Sequence, residues 1–282
     1  MSAPRFTWRK LSAAKWEDVW PERLSEFVDR LAITALVNGK TIRVEIFELA
    51  KKEADRLVKE FGGSINKQNH DWLKAGAKAR GPIKIRRQLA VIAGESEKAA
   101  IKPGIPTLLI PAGMAFGTGE HATTLNCLRF LADLADEYSD EPWEMADLGC
   151  GSGILALAAR MLGAKRCLAG DFDPDCVRTT KENIARNHLT GVTAKRLDVF
   201  TWEPERTWNV ITANLYSTIL VQIVPKLGKA LAPEGSLIVS GIMRDQEAGV
   251  LKALARERLK PVKIARQGKW IAALLRRSTR SA

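Results

Sequence analysis

Two patterns of hydrophobic and polar positions divide the chain. From about residue 105, strand-like apolar runs alternate with helical stretches. The runs are Met145–Leu148, Cys167–Asp171, Thr193–Val199, Val210–Asn214 and Leu237–Ser240, and the helical stretches are 152–162, 175–187, 217–231 and 244–257. This βαβα alternation predicts a parallel sheet covered by helices on both faces. The chain closes differently: Pro261–Ala265 and Trp270–Leu275 are separated by a short Gln267-Gly268 turn, which predicts an antiparallel hairpin.

Residues 5–65 read as a smaller α+β unit. Phe6–Leu11 has strand character, and the spacing of Ala13–Asp29 predicts a helix with Trp16, Trp20, Leu24 and Phe27 near one face. Two β-rich runs, Ala32–Val37 and Thr41–Phe47, flank Asn38-Gly39, a dipeptide that tolerates positive φ and signals a hairpin. Lys51–Phe61 reads as a helix stopped by Gly62-Gly63. Strand, helix, hairpin and helix follow a ferredoxin-like order that lacks only a securely placed last strand. Residues 66–104 read as a basic linker containing Gly81-Pro82, with strand pieces around Ile83, Ile85, Leu89 and Val91. The expected domains are therefore 1–65, the linker 66–104, and 105–282.

Composition narrows the class. With 46% hydrophobic residues in 282, the chain can bury an ordinary core. No apolar run reaches the length of a membrane span. The first twenty residues contain no apolar stretch of signal-peptide type, so a cytoplasmic protein without membrane contact is expected, as a monomer. Cys127, Cys150, Cys167 and Cys176 form no CxxC pair, and three dispersed histidines offer no metal site. The net charge of +12 is uneven: residues 1–104 hold 21 Lys and Arg against 13 Asp and Glu, a net of +8. Such a front half suits an anionic partner such as ribosomal RNA, or is simply a solvated basic surface.

The chemistry gathers at strand ends. Asp147-Leu148-Gly149-Cys150-Gly151-Ser152-Gly153 follows a strand and opens a helix. Its glycines let backbone approach a ligand closely, and the helix start presents amide groups. The Gly-x-Gly-x-Gly order departs from the dinucleotide pattern, in which the third glycine follows a two-residue gap and a pyrophosphate sits on the helix end. Asp171, at the end of the next strand and 18 residues after Gly153, is placed to accept from both ribose hydroxyls of a nucleoside, while Asp173 reads as the cap of the following helix. Asp198, one strand further on, is either an adenine contact or a loop acid. Asn214 ends the following strand, either between cofactor and substrate or as a helix cap. No residue reads as a dedicated base; His121 is conceivable, with a structural role in its loop as the other reading.

The loop Ala115-Phe116-Gly117-Thr118-Gly119-Glu120-His121-Ala122-Thr123-Thr124, some two dozen residues before Asp147-Leu-Gly-Cys-Gly-Ser-Gly-Ile-Leu-Ala, resembles the ribosomal protein methyltransferase A (PrmA) family, which methylates protein eleven of the large ribosomal subunit. The similarity continues through Gly170-Asp171-Phe172-Asp173-Pro174, Asn214-Leu215 and 235–241, and more loosely over 70–91. It implies a seven-stranded Rossmann-like class I methyltransferase domain, preceded by a small α+β (ferredoxin-like) domain. It implies S-adenosylmethionine as the cofactor. Thr124, Gly149, Asp171 and Asn214 match the family's cofactor-contacting positions, Gly151 belongs to the same loop, and Phe116 matches a mobile aromatic. It further implies methylation of lysine side-chain and N-terminal amines of protein eleven, with residues 1–65 selecting the substrate. The chain departs from the family in Glu120-His121-Ala122, where Thr-His-Pro is usual, and in Asn214-Leu215-Tyr216-Ser217, where Asn-Ile-Leu-Ala is usual. The alternatives are a same-fold enzyme with another protein substrate, or one acting on nucleic acid. The absence of the Asn/Asp-Pro-Pro-Tyr prolines that often accompany base methylation weighs against the second.

Overall fold

The computed structural model describes residues 6–17, 19–35, 41–67, 81–111 and 119–277. The chain forms two compact units, 1–76 and 77–282.

In the first unit, β1 (Phe6–Ala13), β2 (Leu31–Ala35), β3 (Thr41–Leu49) and β4 (Ser64–Lys67) make an antiparallel sheet in the order β2-β3-β1-β4. Helices α1 (Val19–Arg23) and α2 (Lys51–Phe61) complete it. β4 supplies the last strand of the ferredoxin-like order. The core holds Trp8, Trp20, Phe27, Val44, Ile46 and Leu57. The helix expected over 13–29 is broken into a 3-10 turn (Ala14–Trp16), the short α1 and a second 3-10 segment (Ser25–Arg30). Pro21 is the reason. It has no N–H, and its ring would strike the carbonyl four residues back, so it is accepted only in the first turn of a new helix. The break resets the helical phase: Trp20, Leu24 and Phe27 reach the core, but Trp16 stays 48% exposed. The strands flanking Asn38-Gly39 pair as expected, Leu31 opposite Ile46 and Ala35 opposite Ile42; the dipeptide itself lies outside the described residues.

The second unit begins with a three-stranded sheet of β5 (Ile83–Ile85), β6 (Leu89–Ile92) and β7 (Thr107–Leu109). There follow α3 (Ala122–Glu137), β8 (Glu144–Leu148), α4 (Ile154–Met161), β9 (Arg166–Asp171), α5 (Pro174–Arg186) and β10 (Val192–Arg196). Then come β11 (Trp208–Asn214), α6 (Ser217–Ala230), β12 (Leu231–Met243), α7 (Glu247–Arg256), β13 (Leu259–Gln267) and β14 (Trp270–Arg277). The seven-stranded sheet has the order β10-β9-β8-β11-β12-β14-β13, with β14 antiparallel to both neighbours and the other pairs parallel. Alternate side chains feed opposite faces, as the pleat requires. Val210, Ile238 and Leu274 join the core with α3 and α4, while Ile211, Val239 and Leu275 join the one with α6 and α7.

Residues 83–109, of which 83–104 read from sequence as part of a linker, pack on this second unit. Ile85, Leu89, Val91 and Leu108 are buried in its first core. Asn187 satisfies both backbone groups of Leu109 (2.7 and 2.8 Å), and Arg86 pairs with Asp133 at 2.7 Å. Short apolar runs set among lysines and arginines carry little periodicity, which is why composition alone makes the segment look like a linker. Among the described residues no helix is long and apolar enough to cross a membrane.

Candidate active site

The strand order reverses between β8 and β11, and ligands in open α/β sheets bind beyond the strand ends at such a point. A cavity of about 710 Å³ lies there. Thr124, Gly149, Gly151, Asp171 and Asn214 all line it, although they come from four separate segments of the chain. Phe116, Gly117 and Thr118 lie outside the described residues.

The glycine loop after β8 is tied to the end of β9. The N–H groups of Gly149 and Cys150 both donate to the Gly170 carbonyl, at 2.8 and 3.0 Å. Gly151 N–H donates to Asp171 Oδ2 (2.8 Å), and Asp173 N–H donates to Asp171 Oδ1 (3.0 Å). A carboxylate offers about four lone-pair sites, so Asp171 keeps acceptor capacity on each oxygen. Asp173 caps α5 by accepting from Asp175 N–H at 2.8 Å, which keeps the two acids in separate roles. Beneath the loop, Thr180 Oγ1 donates to the Gly151 carbonyl (3.0 Å) and Asn183 Nδ2 to the Ser152 carbonyl (2.9 Å). Sequence reasoning missed this pair. Their signal was present: with Val177 they recur every third residue on the buried face of α5, where polar side chains need partners.

Glycine is required at 149 for two reasons. Its φ is +74°, and a Cβ there would come within 2.3 Å of Leu215 Cδ2. Asp147 sits behind the loop, fully buried. Thr212 Oγ1 donates to its Oδ1 at 2.6 Å, but Oδ2 is buried without a partner. Burial pushes the Asp147 carboxyl up to about 7 against the pull of the Thr212 bond, and the charge of Asp171 adds to the rise.

At the end of β11, Asn214 Nδ2 donates to Thr123 Oγ1 (3.3 Å) and reaches Thr124 Oγ1 (3.5 Å). Thr123 Oγ1 in turn lies 2.7 Å from His121 Nδ1. His121 caps α3, accepting from Thr123 N–H, and stands edge-on to Trp270 with centroids 5.1 Å apart. Burial, and then the charge of Lys269, lower the His121 pKa from its usual range. Thr123 and Trp270 are further residues that sequence reasoning did not single out. Asp198 lines the cavity too, and its Oδ1 accepts from Phe200 N–H at 2.9 Å, closing a turn. Phe172, Phe200 and Tyr216 are exposed aromatics on the cavity wall.

The family model for ribosomal protein L11 methyltransferase (PrmA) matches residues 5–278. The chain is 37% identical over 239 residues to the ribosomal protein L11 methyltransferase of Pelobacter propionicus, covering 80% of this chain and 75% of that protein. To that of Heliobacterium modesticaldum it is 34% identical over 263 residues, covering 93% and 81%. The crystal structure of ribosomal protein L11 methylase from Lactobacillus delbrueckii subsp. bulgaricus aligns at a TM-score of 0.60 and 29% identity, over 71% of this chain and 100% of that one. The match spans the glycine loop, the strand ends and nearly all of the front unit, so the chain belongs to the ribosomal protein L11 methyltransferase family.

Proposed function

We propose that this protein methylates lysine side-chain and N-terminal amines of ribosomal protein L11 in the cytoplasm, with S-adenosylmethionine as the methyl donor. The observation that carries this reading is the convergence of Thr124, Gly149, Gly151, Asp171 and Asn214 on one cavity. The residues present fit that cofactor. Asp171 has lone pairs left for ribose hydroxyls, and the glycine loop gives a side-chain-free approach. When bound, S-adenosylmethionine supplies a methyl group already activated by a positive sulfonium.

The chain's own task is then to bind, desolvate and aim an amine. A free lysine has a pKa near 10.4, so holding it neutral at pH 7 costs about 4–5 kcal/mol. The apolar wall formed by Leu197, Ile219 and Trp270 disfavours the ammonium form. Asn214 completes the arrangement. With Nδ2 committed to the threonine hydroxyls, Oδ1 is the acceptor left to hold an amine N–H and turn its lone pair inward. His121 Nδ1, 2.7 Å from Thr123 Oγ1, extends that chain of bonds. Residues 1–65 select the substrate, and the monomer's basic front half contacts ribosomal RNA; light scattering and RNA gel shifts test those two parts.

The decisive experiment is labelled methyl transfer into unmethylated ribosomal proteins, followed by mass spectrometry. Label on amines of L11 is expected. Label confined to RNA or to another protein would overturn the assignment. For the cofactor site, Asp171→Ala is expected to lose about 1.5–3 kcal/mol of cofactor affinity, the worth of hydrogen bonds to a charged group, or roughly 10- to 150-fold in Kd. Calorimetry showing unchanged affinity in a folded variant would remove Asp171 from the site.

A further inference from the structure

The first unit has a cavity of its own, about 330 Å³, lined from β1, α1 and the end of α2. Nothing in the methyl-transfer chemistry uses it. Its floor is aromatic: Trp20 stands edge-on to Phe61 with centroids 5.8 Å apart, and Trp8 lies 6.3 Å from each. Trp16, half-exposed, is part of the wall, with Lys15 Nζ 5.2 Å from its ring. Two cations line the same space. Lys10 Nζ donates to the Phe61 carbonyl at 2.6 Å, and Arg23 has no carboxylate partner among the described residues.

Three groups here stand ready for a partner. Trp20 is 5% exposed, yet its Nε1–H is buried with no acceptor, whereas the neighbouring Trp8 Nε1–H donates to the Gly62 carbonyl at 2.7 Å. A buried donor without an acceptor is rare and weakens the packing around it. Trp16 leaves a large indole surface uncovered, the kind of side chain that anchors protein interfaces. Arg23 offers a planar fork that matches a carboxylate.

We infer that this cavity is a docking pocket for an acidic side chain of a protein partner. Arg23 and Lys10 face the carboxylate, and Trp16 packs its stem over the floor formed by Trp20. The inference rests on the reading that residues 1–65 select the protein substrate. A protein carboxylate suits the pocket better than nucleic acid. Only two cations line it and Glu60 shares the wall, whereas single-stranded nucleic acid is held by extended cationic grooves with bases stacked along them.

The test uses the full-length protein with 15N-labelled tryptophan and a short glutamate-rich peptide as the probe. The indole N–H signals of Trp16 and Trp20 should shift saturably with the peptide, and Arg23→Gln should abolish the shift. In methyl transfer to L11, Arg23→Gln should raise KM about tenfold or more while kcat and cofactor affinity stay unchanged. No shift with the peptide, or the same shift in Arg23→Gln, overturns the pocket. A shift with a single-stranded RNA oligonucleotide but not with the peptide overturns it too, in favour of a phosphate site. If the peptide shifts hold but the wild-type protein transfers no methyl group to L11, the substrate assignment has failed and the pocket stands.

Discussion

Gly149→Val should cost the protein stability as well as its cofactor. From the sequence, a side chain at 149 threatens only the ligand, whose approach the glycine loop keeps clear, and the cofactor-free fold is expected to survive. The structure adds a second obstacle. Residue 149 has φ +74°, a region that β-branched residues avoid, and its Cβ would meet Leu215 Cδ2 at 2.3 Å. Strained backbone costs of order 1–3 kcal/mol, and overpacking adds up to about as much again where Leu215 does not turn away, so a loss of roughly 1–6 kcal/mol is expected. That is a large share of the ~5–15 kcal/mol by which a domain is usually stable. Denaturant unfolding should show a clearly lowered midpoint, and calorimetry on any folded fraction should show no S-adenosylmethionine binding. The two penalties can be separated by pairing Gly149→Ala with Leu215→Ala. Removing the leucine should return part of the stability lost in Gly149→Ala. A single variant Gly149→Val with wild-type stability would show that Leu215 yields without cost.

What could be read in advance follows a physical line. The strands and helices of the second unit were legible because each is long enough to show its period, and because glycines and acids stand where strands end. Asp171 and Asn214 stand out by that logic, since a polar residue at the carboxyl end of an apolar run has few reasons to be there other than a ligand or a cap, and both line the larger cavity. Thr180 and Asn183 were not found: their spacing with Val177 marks a buried helix face, but their partners, the carbonyls of Gly151 and Ser152, are some thirty residues away and carry no signature of their own. Asp147 looked like an ordinary member of the loop. Its orphaned oxygen becomes visible only when β11 brings Thr212 to one side of it and leaves the other bare. In the first unit a single proline undid the helical reading. Trp16 belongs to the apolar face of an unbroken helix, and Pro21 does not allow one.

A protein truncated to begin at Ala77 should bind S-adenosylmethionine nearly as well as the full chain and should fail to methylate L11. Every residue lining the larger cavity, and both cores of the seven-stranded sheet, fall within 77–282. Cofactor affinity therefore has no reason to change by more than a small factor. Transfer to a protein substrate is different, because it depends on an amine being delivered in reacting geometry. Under the proposed role of the first unit in docking the substrate, its loss should lower kcat/KM by at least about 100-fold. Where the cut is made matters. Starting at residue 105 instead would strip Ile85, Leu89, Val91 and Ile92, all buried, from the second unit. At about 1.5–3 kcal/mol each that is roughly 6–12 kcal/mol, an upper estimate that still rivals the stability of a domain. The shorter protein should be unfolded or aggregated, whereas the one starting at Ala77 should show a cooperative thermal transition. Scanning calorimetry on both, with cofactor titration and labelled transfer on the folded one, makes the comparison. Transfer to L11 equal to that of the full chain would refute the division of labour between the two units and confine the substrate site to the second.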